Sequence, residues 1–121
     1  MYRQLTGKNI ETITYNEKML VPTVVIDSQL AGDMTNIGGL LMMAWSNDQT
    51  LRMTLDERLA VFWSRSRQEI WRKGDTSGQK MLLRDAYIDC DLDTVVYDVK
   101  APQITCHNGT FSCFEVPNDR E

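Results

Sequence analysis

The sequence has one histidine, three cysteines and three prolines in 121 residues. Three cysteines cannot all pair within a chain, so a disulfide framework is excluded and thiols or thiolates are expected. No C-x-x-C pair is present. Among zinc motifs, the H-x-E and P-C-x-x-C elements of the nucleobase deaminases are also missing. No run approaches the ~18 apolar residues of a membrane span, and the N-terminal M-Y-R-Q-L-T-G-K lacks the apolar stretch of a signal peptide. These absences predict a reducing, cytoplasmic setting with no membrane partner. A formal net charge of −4 argues against general nucleic-acid binding. Internal repeats, linkers and low-complexity segments are absent too.

What the chain does have is concentrated between residues 89 and 114. D-C-D-L-D (Asp89, Cys90, Asp91, Leu92, Asp93) is followed by C-H-N-G-T-F-S-C, from Cys106 to Cys113. All the cysteines and the lone histidine lie here. Three thiolates with a fourth position open suit zinc, which keeps three protein ligands in catalytic sites. Cys90, Cys106 and Cys113 are the candidates, with three unrelated buried thiols as the alternative. Adjacent residues rarely turn onto one ion, so His107 reads as a base beside the metal, since imidazole exchanges protons near neutral pH.

The aspartates form a second feature. M-L-L-R-D-A-Y-I-D-C-D reads as a strand, which sets Asp89 and Asp91 on one face and Cys90 on the other. Alternate residues lie roughly 6.8 Å apart along a strand, so the three carboxylates share an ion only if the chain curls or waters bridge. Carboxylates favour hard cations such as magnesium. An EF-hand is excluded because Thr94 and Lys100 stand where its glycine and glutamate belong. A solvated acidic turn is the alternative.

Residues 61–80 carry a net +3 in this acidic chain, from Arg65, Arg67, Arg72, Lys73 and Lys80 against Glu69 and Asp75. The loop K-G-D-T-S-G, Lys73 to Gly78, lacks Walker spacing, but its glycines and the hydroxyls of Thr76 and Ser77 suit phosphate oxygens. With Arg65 and Arg67 beside it, the loop predicts a small phosphorylated ligand.

For the fold, Leu20–Ile26 and Leu40–Trp45 read as strands, with Pro22 at an edge or near a strand start. Between them lies a long turn-rich connection, 27–39. Ser46 and Gln49 match a capping box for a helix with a Leu51, Leu55, Leu59 stripe. Val61–Arg67 resumes strand, with Trp63, Arg65 and Arg67 on one face. Leu82–Asp91 and Thr94–Lys100 make two more strands, joined by the aspartate turn and ended by Pro102. Residues 1–14 show no clear pattern, and 115–121 reads as a mobile tail. The class is α+β, mainly antiparallel strands with one clear helix, in a single domain.

W-S-R-S-R at 63–67, W-R-K-G-D-T-S-G at 71–78, D-C-D-L-D at 89–93 and C-H-N-G-T-F-S-C-F at 106–114 together resemble the phosphoribosyl-AMP cyclohydrolase family of histidine biosynthesis. The likeness runs from about Tyr15 to Phe114. It implies hydrolytic opening of the adenine ring of N1-(5-phosphoribosyl)-AMP at the N1–C6 bond. It also implies zinc on Cys90, Cys106 and Cys113, magnesium on Asp89, Asp91 and Asp93, and His107 as the base that activates water. The phosphates of such a substrate match Arg65, Arg67, Lys73, Thr76 and Ser77. The family forms an intertwined homodimer with each zinc site shared between chains. Gln103, Thr110, Phe111 and the long 27–39 connection depart from the family pattern.

Overall fold

The structure, a computed structural model, describes residues 1–116. The expected mobile tail lies, from residue 117 on, outside the described residues. Six strands form one sheet: β1 Val21–Ile26, β2 Leu40–Ser46, β3 Val61–Ser64, β4 Glu69–Arg72, β5 Leu82–Ile88 and β6 Val95–Lys100. Their spatial order is β4-β3-β2-β1-β6-β5. β1 and β6 run parallel, whereas the other four pairings are antiparallel. The class is α+β and the sheet is mixed.

β1 is central although it contains Pro22. Its parallel pairing with β6 begins only at Thr23, opposite Val95, so the missing proline N–H is not called on there. The sheet then curls. Ala60 N–H donates to the Met81 carbonyl (3.0 Å) and Leu83 N–H to the Arg58 carbonyl (2.9 Å), bringing the chain before β3 against the start of β5. Phe62, Tyr97, Leu51 and Met81 are fully buried inside this curl.

The helix differs from the expectation at both ends. Ser46 is not its cap. It is the buried last residue of β2, and its hydroxyl pairs with that of Thr23 at 2.7 Å. Ser46 belongs to the strand, and the helix begins one residue further on than expected. Asn47 takes the role one residue later for α2, Asp48–Glu57. Its side chain accepts from Thr50 N–H (2.8 Å), and Thr50 Oγ1 accepts from Asn47 N–H (2.9 Å). Arg58 ends α2 in the left-handed region at φ 57°, so Leu59 lies beyond it and Leu55 is only half-buried. The buried face is Thr50, Leu51 and Thr54. Thr54 can sit inside because its hydroxyl donates to the Thr50 carbonyl (2.9 Å) and accepts from Val61 N–H (3.0 Å).

The N-terminal segment is part of the core. Leu5, Ile10 and Ile13 are buried, and Leu5 N–H donates to the Ala86 carbonyl (2.8 Å) while Ile88 N–H donates to that of Arg3 (3.0 Å). Its helix, α1 Gly7–Ile10, is too short to print a 3.6-residue period. The strand expected over Val61–Arg67 stops at Ser64. Residues 65–68 instead turn into β4, with Gln68 at φ 54°. Trp63, Arg65 and Arg67 therefore do not share a strand face.

The 27–39 connection contains two 3-10 turns, Ser28–Leu30 and Met34–Gly39. Its base is fixed. Asp27 is buried, pairs with Arg84 at 2.6 Å and accepts from Ala101 N–H at 3.0 Å. These partners, with Gln29 N–H, outweigh burial and hold the Asp27 carboxyl below its ordinary range. Gly39 closes the connection at φ +85°, where a Cβ would meet the Asp27 carbonyl oxygen. Only glycine fits there.

Candidate functional site

The aspartate turn lies between β5 and β6. Contrary to expectation, Asp89 to Asp91 do not continue the strand, because β5 ends at Ile88. Leu92 takes φ 65° and packs against the core. Asp89 Oδ1 accepts from the N–H groups of Asp93 (2.9 Å) and Thr94 (3.0 Å). This curl does what strand alternation could not: ligand oxygens of Asp89, Asp91 and Asp93 lie within 4.8 Å of one another. Burial raises the Asp89 pKa, but the two N–H donors outweigh it and leave it below the ordinary value. Asp93 is pushed up by its neighbours Asp91 and Asp89. Carboxylates crowded in this way match an oxygen-ligated divalent cation, which relieves their repulsion.

The cysteine turn follows β6. Gly109 at φ +87° reverses the chain, and Gly109 N–H donates to the Cys106 carbonyl (2.9 Å). Asn108 N–H, aimed at the Cys106 sulfur, lowers the Cys106 pKa. Burial opposes this shift, and Cys113, Thr110 and Lys73 add to it. Burial and the nearby Cys106 push Cys113 up to about 11. The two thiols therefore form a pair in which Cys106 ionises first. His107 is exposed beside them, with Nδ1 4.0 Å from the Cys106 sulfur.

Cys90 is elsewhere. It is exposed in the aspartate turn before β6, while Cys106 lies beyond the far end of that strand. Six extended residues separate the two ends by roughly 17 Å. Among the described residues, the only group of three or more His, Cys, Asp or Glu with ligand atoms within 4.8 Å is the aspartate trio. The three thiols do not gather within one chain.

The basic patch is largely paired. Arg72 meets Glu57 (3.0 Å), Lys80 meets Asp75 (3.2 Å) and Arg67 meets Glu69 (3.4 Å). Arg65 lies over the Trp45 ring at 4.8 Å. A cavity of about 490 Å³ runs along the loop, lined by Arg67, Trp71, Lys73, Gly74, Thr76 and Ser77. Gly74, at φ +91°, lets the loop fold back on itself; a Cβ there would fall 2.5 Å from Lys80 N.

Ser112 was singled out by no pattern, yet it anchors the cysteine turn. It is 3% exposed, and its hydroxyl donates to the Leu40 carbonyl (2.8 Å) and accepts from Phe114 N–H (3.1 Å). Cys113 N–H donates to the Leu41 carbonyl (2.8 Å). The cysteine turn is thus fixed to the start of β2. A serine between two motif residues carries no sequence signal of such a bond, since its acceptor is 72 positions away.

A family model of phosphoribosyl-AMP cyclohydrolase matches residues 42–115. A relative of that name from Chlorobium phaeobacteroides is 44% identical over 105 residues, covering 87% of this chain and 72% of its own. One from Marinobacter nauticus is 43% identical over 106 residues, with coverage of 87% and 72%. One from Micrococcus luteus is 40% identical over 105 residues, with coverage of 87% and 78%. The matched span takes in the 73–78 loop, the aspartate turn and the cysteine turn alike, and the chain belongs to the phosphoribosyl-AMP cyclohydrolase family.

Proposed function

We propose that this chain opens the adenine ring of N1-(5-phosphoribosyl)-AMP by hydrolysis of the N1–C6 bond, a step of histidine biosynthesis. Its sites would lie between two copies of the chain. The observation that carries the shared site is the placement of Cys90 and the Cys106–Cys113 pair at opposite ends of β6. Two such chains around a two-fold axis join each Cys90 to the other chain's pair, twice over.

The donors fit the metals. A thiol pair with one more thiol from a second chain gives zinc three soft ligands and leaves a position open. The aspartate trio gives magnesium a separate oxygen site. Bound zinc supplies Lewis acidity that brings water's pKa to ~7. His107 takes the proton of the attacking water. The water oxygen stays on C6 as the carboxamide oxygen, the N1–C6 bond breaks, and the proton held by His107 passes to N1. The second water proton ends on the exocyclic nitrogen, completing the amide. Arg67, Thr76 and Ser77 hold a phosphate along the cavity of the 73–78 loop, and Arg65, which lies over Trp45 outside that cavity, is left for the second phosphate. Cytoplasmic location follows from the reduced thiols this chemistry needs.

Ring opening changes the purine chromophore, so an ultraviolet assay of the zinc-loaded, dimeric protein tests the reading. A time-dependent spectral change is expected. An unchanged spectrum with folded, metal-loaded protein sinks it.

The aspartate site should behave independently of zinc. Asp91→Asn is expected to raise the magnesium concentration needed for half-maximal rate while bound zinc stays at the wild-type level. Zinc lost from folded Asp91→Asn would mean that the two sites are one.

A further inference from the structure

Two cations of the basic patch, Arg65 and Lys73, form no ion pair with a carboxylate among the described residues. Arg67, Arg72 and Lys80 each have an acidic partner, and Arg65 has the Trp45 ring. Lys73 is half-buried, and no ion pair with a carboxylate is formed by it among the described residues. Its ammonium reaches across 32 positions to donate to the Thr105 carbonyl, the residue before Cys106. It lies 5.7 Å from the Trp71 ring centroid. Burial lowers its pKa, and against that the thiols of Cys113 and Cys106 are the groups whose ionisation would favour its charge.

A half-buried ammonium without a counter-ion is costly. A divalent ion on three thiolates, for its part, leaves a net negative charge. Each of these imbalances answers the other. We propose that Lys73 is a positioning residue of the cysteine turn, its ammonium fixing Thr105 and supplying the counter-charge to the metal-bound thiolates, and is not a ligand of substrate phosphate. The inference rests on the zinc reading above.

Three further observations support it. Thr105 is 2% exposed, and its own hydroxyl is buried with no hydrogen-bond partner. At Thr105 the turn is therefore held through its backbone, whose carbonyl Lys73 grips. Gln79 Oε1 accepts from Ile104 N–H at 3.1 Å, so a second bond ties the chain just past the 73–78 loop to the same turn. Lys73 N–H donates to the Ala60 carbonyl (3.2 Å), which fixes the base of the side chain against the sheet.

The test is a chelator competition for zinc on the dimeric full-length protein, run beside steady-state kinetics, for wild type, Lys73→Met and Lys73→Arg. Methionine keeps the apolar stem and removes the charge. Lys73→Met is expected to bind zinc about 10–100-fold more weakly, the usual cost of losing a group that supports metal ligands. Lys73→Arg should recover most of that loss, and KM should stay near wild type in both. A raised KM with unchanged zinc affinity in Lys73→Met would make Lys73 a phosphate ligand and overturn the inference alone. Wild-type protein that takes up no zinc overturns the metal reading and this inference with it. If Lys73→Met fails to fold, Lys73→Gln carried through the same titration decides between the same outcomes.

Discussion

Chains carrying Cys90→Ala and chains carrying Cys106→Ala, each inactive alone, should together recover about a quarter of wild-type activity after joint dissociation and reassembly. The expectation follows from the ends of β6. In one chain Cys90 precedes this strand and Cys106 follows it, and no cluster of the three thiols forms. If each zinc site takes Cys90 from one chain and Cys106 with Cys113 from the other, a mixed dimer gathers both lesions into one site. Its other site is then intact. Random pairing makes about half the dimers mixed, each with one good site of two, which gives ~25%. Activity and zinc content should recover in the same proportion. If all ligands of a site came from a single chain, every site in the mixture would carry a lesion. Zero recovery, with mixed dimers confirmed by mass, would rule out sharing.

His107→Ala should lower turnover by about 10²-fold or more while zinc stays bound. A hundredfold loss is about 2.7 kcal/mol of barrier, the scale expected when a positioned proton acceptor is removed and water must replace it. Retained zinc is as informative as lost rate. His107 is exposed, and its ring nitrogen lies beside the Cys106 sulfur at 4.0 Å, near enough to serve a metal that this thiol would hold. Turnover and metal content measured on the same preparation separate the roles. Near-wild-type turnover removes His107 as the base. Zinc lost with the imidazole makes it a ligand.

Where residue chemistry alone decides, the sequence was legible. The four motifs between Trp63 and Phe114 resemble one family, and the family model and the relatives bear that out. The β-branched run of β1 and the apolar run of β2 could only be buried strands, since side chains alternating along a pleated surface need a core on at least one face. The errors have one cause. Ser46 has the composition of a cap, but it closes β2, where its hydroxyl pairs with that of Thr23 from 23 positions away. Asp89 to Asp91 have the pattern of a strand end, but Leu92 turns left-handed against the core and curls them together. Residues 1–14 lack periodicity because their one helix is four residues long and much of their order comes from β5, more than 70 positions away.

By itself, then, the sequence determined which atoms are on offer: thiols, carboxylates, an imidazole and a glycine-hydroxyl loop in an acidic chain. Only the tertiary structure decided where they meet. Donor chemistry is a property of each residue, whereas convergence depends on contacts between distant positions that no local pattern encodes. The parallel pairing of β1 with β6 is such a contact. It gives β6 its direction beside β1, with the aspartate turn and Cys90 before the strand and the Cys106–Cys113 turn beyond it. Long-range bonds within the chain then complete the arrangement. Ser112 fixes the cysteine turn to β2, and Lys73 holds Thr105 beside the thiols.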